Sequence, residues 1–139
     1  MAIFMSGSSA PWCGSFRAST IGPVVVVGGN HEYWSTDIDV TLDKARKVAA
    51  GTNVSVLERD IARIGSLTIL GTTGWTDFKL FDDPQTAMLA AFDGMNDYKR
   101  IRKNFYADRL RPVDTLRRHE ATRAFIAAEL AKRAAATNP

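Results

Sequence analysis

The most distinctive hydrophobic pattern in the chain is the run Val24-Val25-Val26-Val27, which lies between Pro23 and the pair Gly28-Gly29. Four β-branched residues bounded by Pro and Gly predict a short β-strand that is buried on both faces. Strands of that kind belong to sheets that are covered by other layers on either side. The first predicted element is therefore an internal strand of an α/β sheet.

A helical pattern follows this strand. Asp37 or Asp39 can serve as the N-cap of a helix over about 39–50, and Gly51 is a suitable residue to end it. The apolar positions recur at helical spacing, and they predict an inner face formed by Leu42, Ala45, Val48 and Ala49.

Two-residue alternation returns after Asn53. Val54 and Val56 predict a second strand, and residues 61–64 and 67–70 are two short apolar runs separated by Gly65-Ser66. A Gly-Ser pair between two apolar runs indicates a two-residue β-hairpin turn. Three further strands are thus expected between residues 54 and 70.

The rest of the chain is predicted to be mainly helical. Asp83-Pro84 is a typical helix start and predicts a helix over about 84–92. Residues 94–111 are interpreted as a polar, basic connector, and Pro112 begins a long helix over about 112–135. The positions expected to be buried are Ala87, Met88, Ala91 and Phe92 in the first helix, and Ala121, Ala124, Phe125, Ile126, Ala128 and Leu130 in the second.

The order β-α-β-β-β-α-α predicts the α/β class, with an open mixed sheet and helices packed on it. No convincing strand precedes the valine strand, and the last element is a helix, so the domain is expected to be incomplete at both ends. Residues 1–22 are interpreted as an irregular N-terminal segment and residues 23–139 as the partial domain. Unpaired strand edges in such a domain predict self-association.

Composition excludes several classes of protein. The chain has 139 residues, 45% of them hydrophobic, and its one cysteine, Cys13, cannot form an internal disulfide. No apolar run approaches the roughly 18 residues of a membrane-spanning helix, and the first residues lack the basic region of a signal peptide. We therefore expect a cytoplasmic protein with no membrane partner.

Charge is distributed unevenly along the chain. Residues 1–96 carry 7 Lys and Arg against 10 Asp and Glu, whereas residues 97–139 carry 11 against 5. The basic connector interleaves cations with aromatic residues, as a surface for single-stranded nucleic acid requires. A solvated connector has the same composition. The residues concerned are Lys99, Arg100, Arg102, Lys103, Arg109 and Arg111, with Tyr98, Phe105 and Tyr106.

The segment with the clearest chemistry is Gly28-Gly29-Asn30-His31-Glu32, directly after the valine strand. Ligand sites of open α/β sheets lie at the carboxyl ends of their strands. Asn30 offers a neutral amide oxygen, which suits hard divalent metals, and His31 can donate a proton or stabilise negative charge at a phosphate. A divalent metal and a phosphate are thus groups that these two side chains are able to bind.

Gly29-Asn30-His31-Glu32 resembles the Gly-Asn-His-Glu/Asp signature of the calcineurin-like metallophosphoesterases. The later blocks 54–58, 61–70, 71–78, 95–101 and 114–119 look like the middle of a bacterial branch of that family, so the similarity covers about 23–133. The resemblance implies a layered α/β sandwich, a phosphoester substrate and a divalent metal pair (Mn, Fe or Zn). It makes Asn30 a metal ligand and His31 the catalytic residue, with Gly29, Glu32 and Trp75 beside the site.

The chain departs from the family pattern at every other metal-binding block. It contains no Asp-x-His, no Gly-Asp and no Gly-His-x-His, and its only histidines are His31 and His119. One amide oxygen cannot hold the two ions of a two-metal site. The sequence therefore predicts a truncated phosphoesterase domain that is inactive alone and binds metal weakly. The alternative is a binding module that uses the basic connector for nucleic acid or phosphate.

Each candidate site residue also has a possible structural role. Asn30 can be a turn residue and His31 an ordinary loop histidine, while Glu32 can simply be solvated. Helix capping explains Asp37 and Asp39 better than a carboxylate pair does. His119 is expected to be structural, and Trp75 and Phe78 are expected to be aromatic anchors near the mouth of the site.

Overall fold

The computed structural model describes residues 22–137. Within that range the chain forms four α-helices and three two-stranded sheets, so the protein is a mixed α/β structure. The strands are β1 (Val24–Val27), β2 (Val54–Leu57), β3 (Asp60–Ile64), β4 (Leu67–Gly71), β5 (Arg102–Lys103) and β6 (Asp108–Arg109). The helices are α1 (Ile38–Ala49), α2 (Pro84–Gly94), α3 (Asn96–Arg100) and α4 (Pro112–Thr137), and Asn30–Tyr33 forms a short 3₁₀ helix.

The first half of the chain is a β-α-β unit. Strands β1 and β2 pair in parallel, with Val24 opposite Val54 and Val27 opposite Leu57, and α1 connects them. The Asp37 carboxylate caps α1 by accepting hydrogen bonds from the backbone of Asp39 and Val40. A small core between α1 and this strand pair is formed by Ala45, Ala49, Val54 and Val56, with Val24, Val26 and Leu42 packed against it.

The predicted hairpin is confirmed. Strands β3 and β4 pair antiparallel, and Gly65 in their turn has a φ of 58°, a left-handed value that favours glycine. At the end of β4, Gly71 lies so close to β2 that a Cβ there would overlap the Leu57 side chain. This close approach places the segment after β4 beside the carboxyl end of β2.

A second core joins the later elements to the 3₁₀ helix. Its buried residues are Tyr33, Ile38, Phe78, Tyr98, Ile101 and Leu110. Backbone hydrogen bonds from Ser35 to Arg100 (2.9 Å) and from Arg102 to Thr36 (2.8 Å) hold the segment after the 3₁₀ helix against α3 and β5. Residues 94–111, expected to be only a connector, therefore contain one helix, two short strands and part of this second core.

Several burial predictions are wrong. The valine strand is not buried on both faces: Val24 and Val26 face α1, but Val27 is 38% exposed. In the described residues β2 is the only strand beside β1. Val48 and Phe92 are each 42% exposed, because the helices turn other positions inward.

The long helix α4 buries a different face from the one predicted. Ala121, Ala124 and Ala128 are exposed, Leu130 is 57% exposed, and Phe125 is half-buried. The inner face instead follows Thr115, His119, Thr122 and Ile126, which recur at helical spacing. Of these four residues only Ile126 was predicted, because the other three are polar and the hydrophobic pattern did not reveal them.

No helix in residues 22–137 is both long enough and apolar enough to span a membrane. The segment 1–22 falls outside the described residues except for Gly22. The cytoplasmic location, the domain boundaries and self-association remain predictions, as does the calcineurin-like layering of the sheet.

Candidate functional site

The Asn30–His31 corner, defined as these two residues and the turn that carries them, lies just beyond the carboxyl end of β1. The 3₁₀ helix Asn30–Tyr33 begins after Gly29, whose backbone N–H donates to Glu32 Oε2 at 2.7 Å. A Cβ at Gly29 would lie 2.9 Å from that oxygen, so the flexible Glu32 side chain would have to shift to accommodate it. Glu32 thus caps the turn instead of being only solvated.

An open cavity of about 460 Å³ adjoins the corner. Three segments form its wall: Val27–Asn30 after β1, Thr72–Thr76 after β4, and Met95, Asp97 and Tyr98 around the start of α3. Gly29, Asn30 and Trp75 thereby line the same cavity. His31 is exposed and does not line this cavity.

Asp97 fixes the orientation of the Asn30 amide. Asn30 Nδ2 donates to both carboxylate oxygens of Asp97, at 2.9 and 3.1 Å, and Asp97 is only 4% exposed. A carboxylate only accepts hydrogen bonds, so the amide nitrogen must face it and the amide oxygen must face away. Asn30 Oδ1 accepts no hydrogen bond from residues 22–137, and it therefore stays available to a ligand.

Trp34 connects the corner to its surroundings. Its indole Nε1–H donates to Asp97 Oδ1 at 2.6 Å, and its ring centroid lies 3.9 Å from that of His31. The Arg100 guanidinium carbon lies 4.8 Å from the same indole, a cation–π contact. The position of the His31 ring thus depends on an aromatic residue that Asp97 and Arg100 hold in place.

Glu58 holds the opposite wall of the cavity. It directly follows β2, is 7% exposed, and accepts a hydrogen bond from the Thr73 backbone N–H at 2.7 Å. The Thr73 hydroxyl lies 2.7 Å from Glu58 Oε2 and 2.8 Å from the Gly28 carbonyl oxygen, within reach of both. Thr73 therefore ties the segment after β4 to both parallel strands.

His119, which was expected to be structural, forms a hydrogen bond to a residue of the cavity wall. Its Nδ1 lies 2.7 Å from the carbonyl oxygen of Trp75. A carbonyl only accepts, so Nδ1 carries the proton, and the buried Nε2 has no hydrogen-bond partner among the described residues. Helix α4 thus anchors Trp75, which lines the cavity.

The remaining acidic candidates have local partners. Asp37 caps α1 and also accepts from the Tyr106 backbone N–H at 2.9 Å, while Asp39 pairs with Arg118 at 2.8 Å. Asp77 accepts from the backbone N–H of Lys79, and this bond is the main cause that lowers its pKa. In residues 22–137 no group of three or more His, Cys, Asp and Glu side chains could hold a metal ion. The described residues therefore do not fit a metal pair.

The basic connector is only partly a solvated surface. Tyr98 is 2% exposed and belongs to the core, and Lys103 pairs with Asp114 at 2.8 Å. Lys99, Arg100 and Arg102 instead gather with Ser35 and Tyr106 around a second cavity of about 530 Å³. Sequence reasoning identified these cations but not their grouping, because the grouping depends on the backbone pairing of residues 35–36 with residues 100–102.

Tyr98 makes a pH-dependent contribution to the free energy of unfolding. Burial raises the pKa of its phenol above the usual 10.0, and the phenol lies 3.0 Å from Thr115 Oγ1. The unfolded chain releases this proton at a lower pH than the folded chain does. The contribution to the free energy of unfolding is therefore complete below pH 10.0 and is lost as pH rises above it.

Replacement of Tyr98 by Phe should lower the free energy of unfolding near neutral pH by about 1 kcal/mol, the usual value for one hydrogen bond. Thr115 Oγ1 keeps its bond to the Pro112 carbonyl. Above pH 10.0 the difference between variant and wild type should shrink. Urea unfolding at several alkaline pH values measures it, with Tyr106→Phe, at a 47% exposed residue, as the control. If the difference in unfolding free energy between Tyr98→Phe and the wild type stays constant with pH, the role given to the raised pKa of Tyr98 is contradicted.

Comparisons with family models, with curated proteins and with solved structures found no match to this chain. The likeness to calcineurin-like metallophosphoesterases therefore rests on the Gly-Asn-His-Glu motif and the order of the later sequence blocks. In the structure the motif lies at the carboxyl end of a parallel strand and beside an open cavity, and the family assignment stays a prediction.

Proposed function

We propose that the Asn30–His31 corner is part of a metal-dependent phosphoesterase site. One observation carries the proposal: Asp97 accepts both hydrogen bonds from Asn30 Nδ2 and so leaves Oδ1 to a ligand. Residues that orient a metal ligand by hydrogen bonding are a common feature of metal sites.

The chain alone should not complete such a site. Asn30 supplies one neutral oxygen, and a pair of divalent ions needs several further ligands. Within residues 22–137 no cluster of side chains supplies them. The proposal therefore assigns only Asn30 as a metal ligand, and we derive no catalytic step from the residues present.

The proposal is tested by titrating the protein with Mn²⁺ and recording NMR spectra. We expect weak binding that broadens the signals of Gly29, Asn30 and His31 first, because the paramagnetic ion lies beside Oδ1. Asn30→Ala should abolish this local broadening. Asn96→Ala is the matched control, since Asn96 is exposed and forms no hydrogen bond to the corner.

Broadening confined to surface carboxylates, or unchanged in Asn30→Ala, contradicts the proposal. Hydrolysis of a nitrophenyl phosphodiester is measured in parallel, and no metal-dependent turnover is expected. Turnover that disappears in both Asn30→Ala and His31→Ala would instead show that this chain carries a complete site.

A further inference from the structure

The cavity of about 530 Å³ beside Arg100 has no role in the corner. We call it the basic pocket and define it by its lining residues: Ser35, Lys99, Arg100, Arg102 and Tyr106. We propose that the basic pocket binds a phosphate group of a small ligand that carries at least two phosphates.

Charge is the first argument. Three cationic side chains line one cavity, and no ion pair joins Lys99, Arg100 or Arg102 to an acidic residue in the described part of the chain. Arginine forks and lysine ammonium groups are the usual partners of phosphate oxygens. Hydroxyls of serine and tyrosine, both present in the lining, add donors for the same oxygens.

The nearest buried carboxylates do not neutralise the pocket through direct ion pairs. Asp97 accepts from Asn30 and Trp34, and Asp37 accepts from the backbone of α1 and of Tyr106. Both carboxylates thus bond to neutral donors. The cations of the pocket are left to a ligand.

The backbone around the pocket is held in an uncommon conformation. Ser35 and Tyr106 have φ values of 64° and 70°, in the left-handed region that non-glycine residues rarely adopt. Asn104 and Phe105 share this region, and the Asp37 carboxylate fixes the loop through the Tyr106 N–H. Backbone strain that surrounding contacts maintain clusters at ligand-binding sites.

Trp34 places the basic pocket next to the proposed phosphoesterase corner. The indole contacts the Arg100 guanidinium at 4.8 Å and the His31 ring at 3.9 Å. To reach the corner with a second phosphate, a ligand held in the pocket would have to extend past Trp34. The assignment of this ligand as a substrate rests on the proposed function, whereas phosphate binding by the pocket does not.

A small ligand fits the lining better than a nucleic acid strand does. A single-strand surface needs a basic track with exposed aromatic rings along it. Here Tyr98 is buried, Lys103 is paired, and Arg109 and Arg111 do not line the pocket. The free cations are gathered at one place, which suits one phosphate group.

Calorimetry with inorganic pyrophosphate in the presence of a chelator tests the pocket without any metal. We expect wild-type binding that weakens about tenfold or more in Arg100→Gln combined with Arg102→Gln, because each removes a charge-assisted hydrogen bond. The matched control is Arg117→Gln combined with Arg123→Gln, which removes the same charge from exposed positions on α4. It should change the affinity by less than about twofold.

Circular dichroism confirms that each variant is folded, and Lys99→Gln provides a second, milder change that should also weaken binding. The Trp34 indole N–H signal should shift on addition of pyrophosphate and stay unshifted in the pocket variant. No binding, or equal weakening in both double variants, overturns the proposal. Tighter binding of a single-stranded oligonucleotide that depends equally on Arg109 and Arg111 also overturns it.

These outcomes are separable from those of the Mn²⁺ titration. If pyrophosphate binds as expected while Mn²⁺ fails to broaden the Asn30 signal, the phosphate site is supported, and its role beside a phosphoesterase corner is refuted. If Mn²⁺ marks Asn30 while pyrophosphate does not bind, the proposed function is supported and the pocket is refuted.

Discussion

Replacement of Asp97 by Ala should lower the free energy of unfolding by about 3 kcal/mol, because hydrogen bonds to a charged group contribute about 1.5–3 kcal/mol each. The variant removes the acceptor for Asn30 Nδ2 and for Trp34 Nε1. Both donors are part-buried, and water replaces the carboxylate only incompletely. Urea denaturation monitored by tryptophan fluorescence measures the change.

The Asp97→Asn variant distinguishes the effect of Asp97 on the orientation of the Asn30 amide from its effect on the free energy of unfolding. The new amide has one oxygen, so Asn30 can keep a hydrogen bond to residue 97 only by sharing that oxygen or by turning its own amide over. We expect a loss of about 1 kcal/mol in stability, as for one neutral hydrogen bond, together with loss of the Mn²⁺ broadening at Asn30. Asp93→Ala is the control, since Asp93 is exposed near the end of α2. If Asp97→Asn keeps the Mn²⁺ signature, Asp97 does not orient Asn30.

Replacement of Glu58 by Ala should cost about 3 kcal/mol for the same physical reason, a buried donor left without its charged acceptor. The donor is the backbone N–H of Thr73, a residue that is 4% exposed. Without Glu58 the segment after β4 loses its bond to the end of β2. We therefore expect faster hydrogen exchange at the Thr73 amide in addition to the lower unfolding free energy.

Glu58→Gln keeps one acceptor oxygen and should cost about 1 kcal/mol. Glu120→Ala, at an exposed position of α4, should change stability by less than about 0.5 kcal/mol. Equal stability of Glu58→Ala and Glu120→Ala would contradict the role given to Glu58. Slow exchange at the Thr73 amide in Glu58→Ala would contradict it independently.

Much of the secondary structure was predictable because its signals are local. Pro23 and the glycines delimit β1, Asp83-Pro84 begins α2, and Pro112 begins α4. Gly65 marks the hairpin turn. Each of these signals acts within a few residues, so no knowledge of the tertiary structure is needed to interpret it.

The parts that were missed depend on contacts between distant segments. Asp97 precedes a run of basic residues and gives no local sign of a buried role, and Glu58 is simply the residue after a strand. The inner face of α4 carries Thr115 and Thr122, which hydrophobic periodicity does not register. Thr122 Oγ1 lies 2.8 Å from Thr72 Oγ1, so hydrogen bonding, not apolar burial, contributes to the packing of that face.

The hydrogen bond between Asn30 and Asp97 joins residues 67 positions apart. Closing so long a loop carries an entropic cost that only later long-range packing offsets. The motif at residues 29–32 is therefore synthesised long before Asp97 can fix the orientation of the Asn30 amide. During synthesis the nascent chain carries the full Gly-Asn-His-Glu motif without the hydrogen bond that orients the Asn30 amide, and this bond forms only when α3 has emerged and docked.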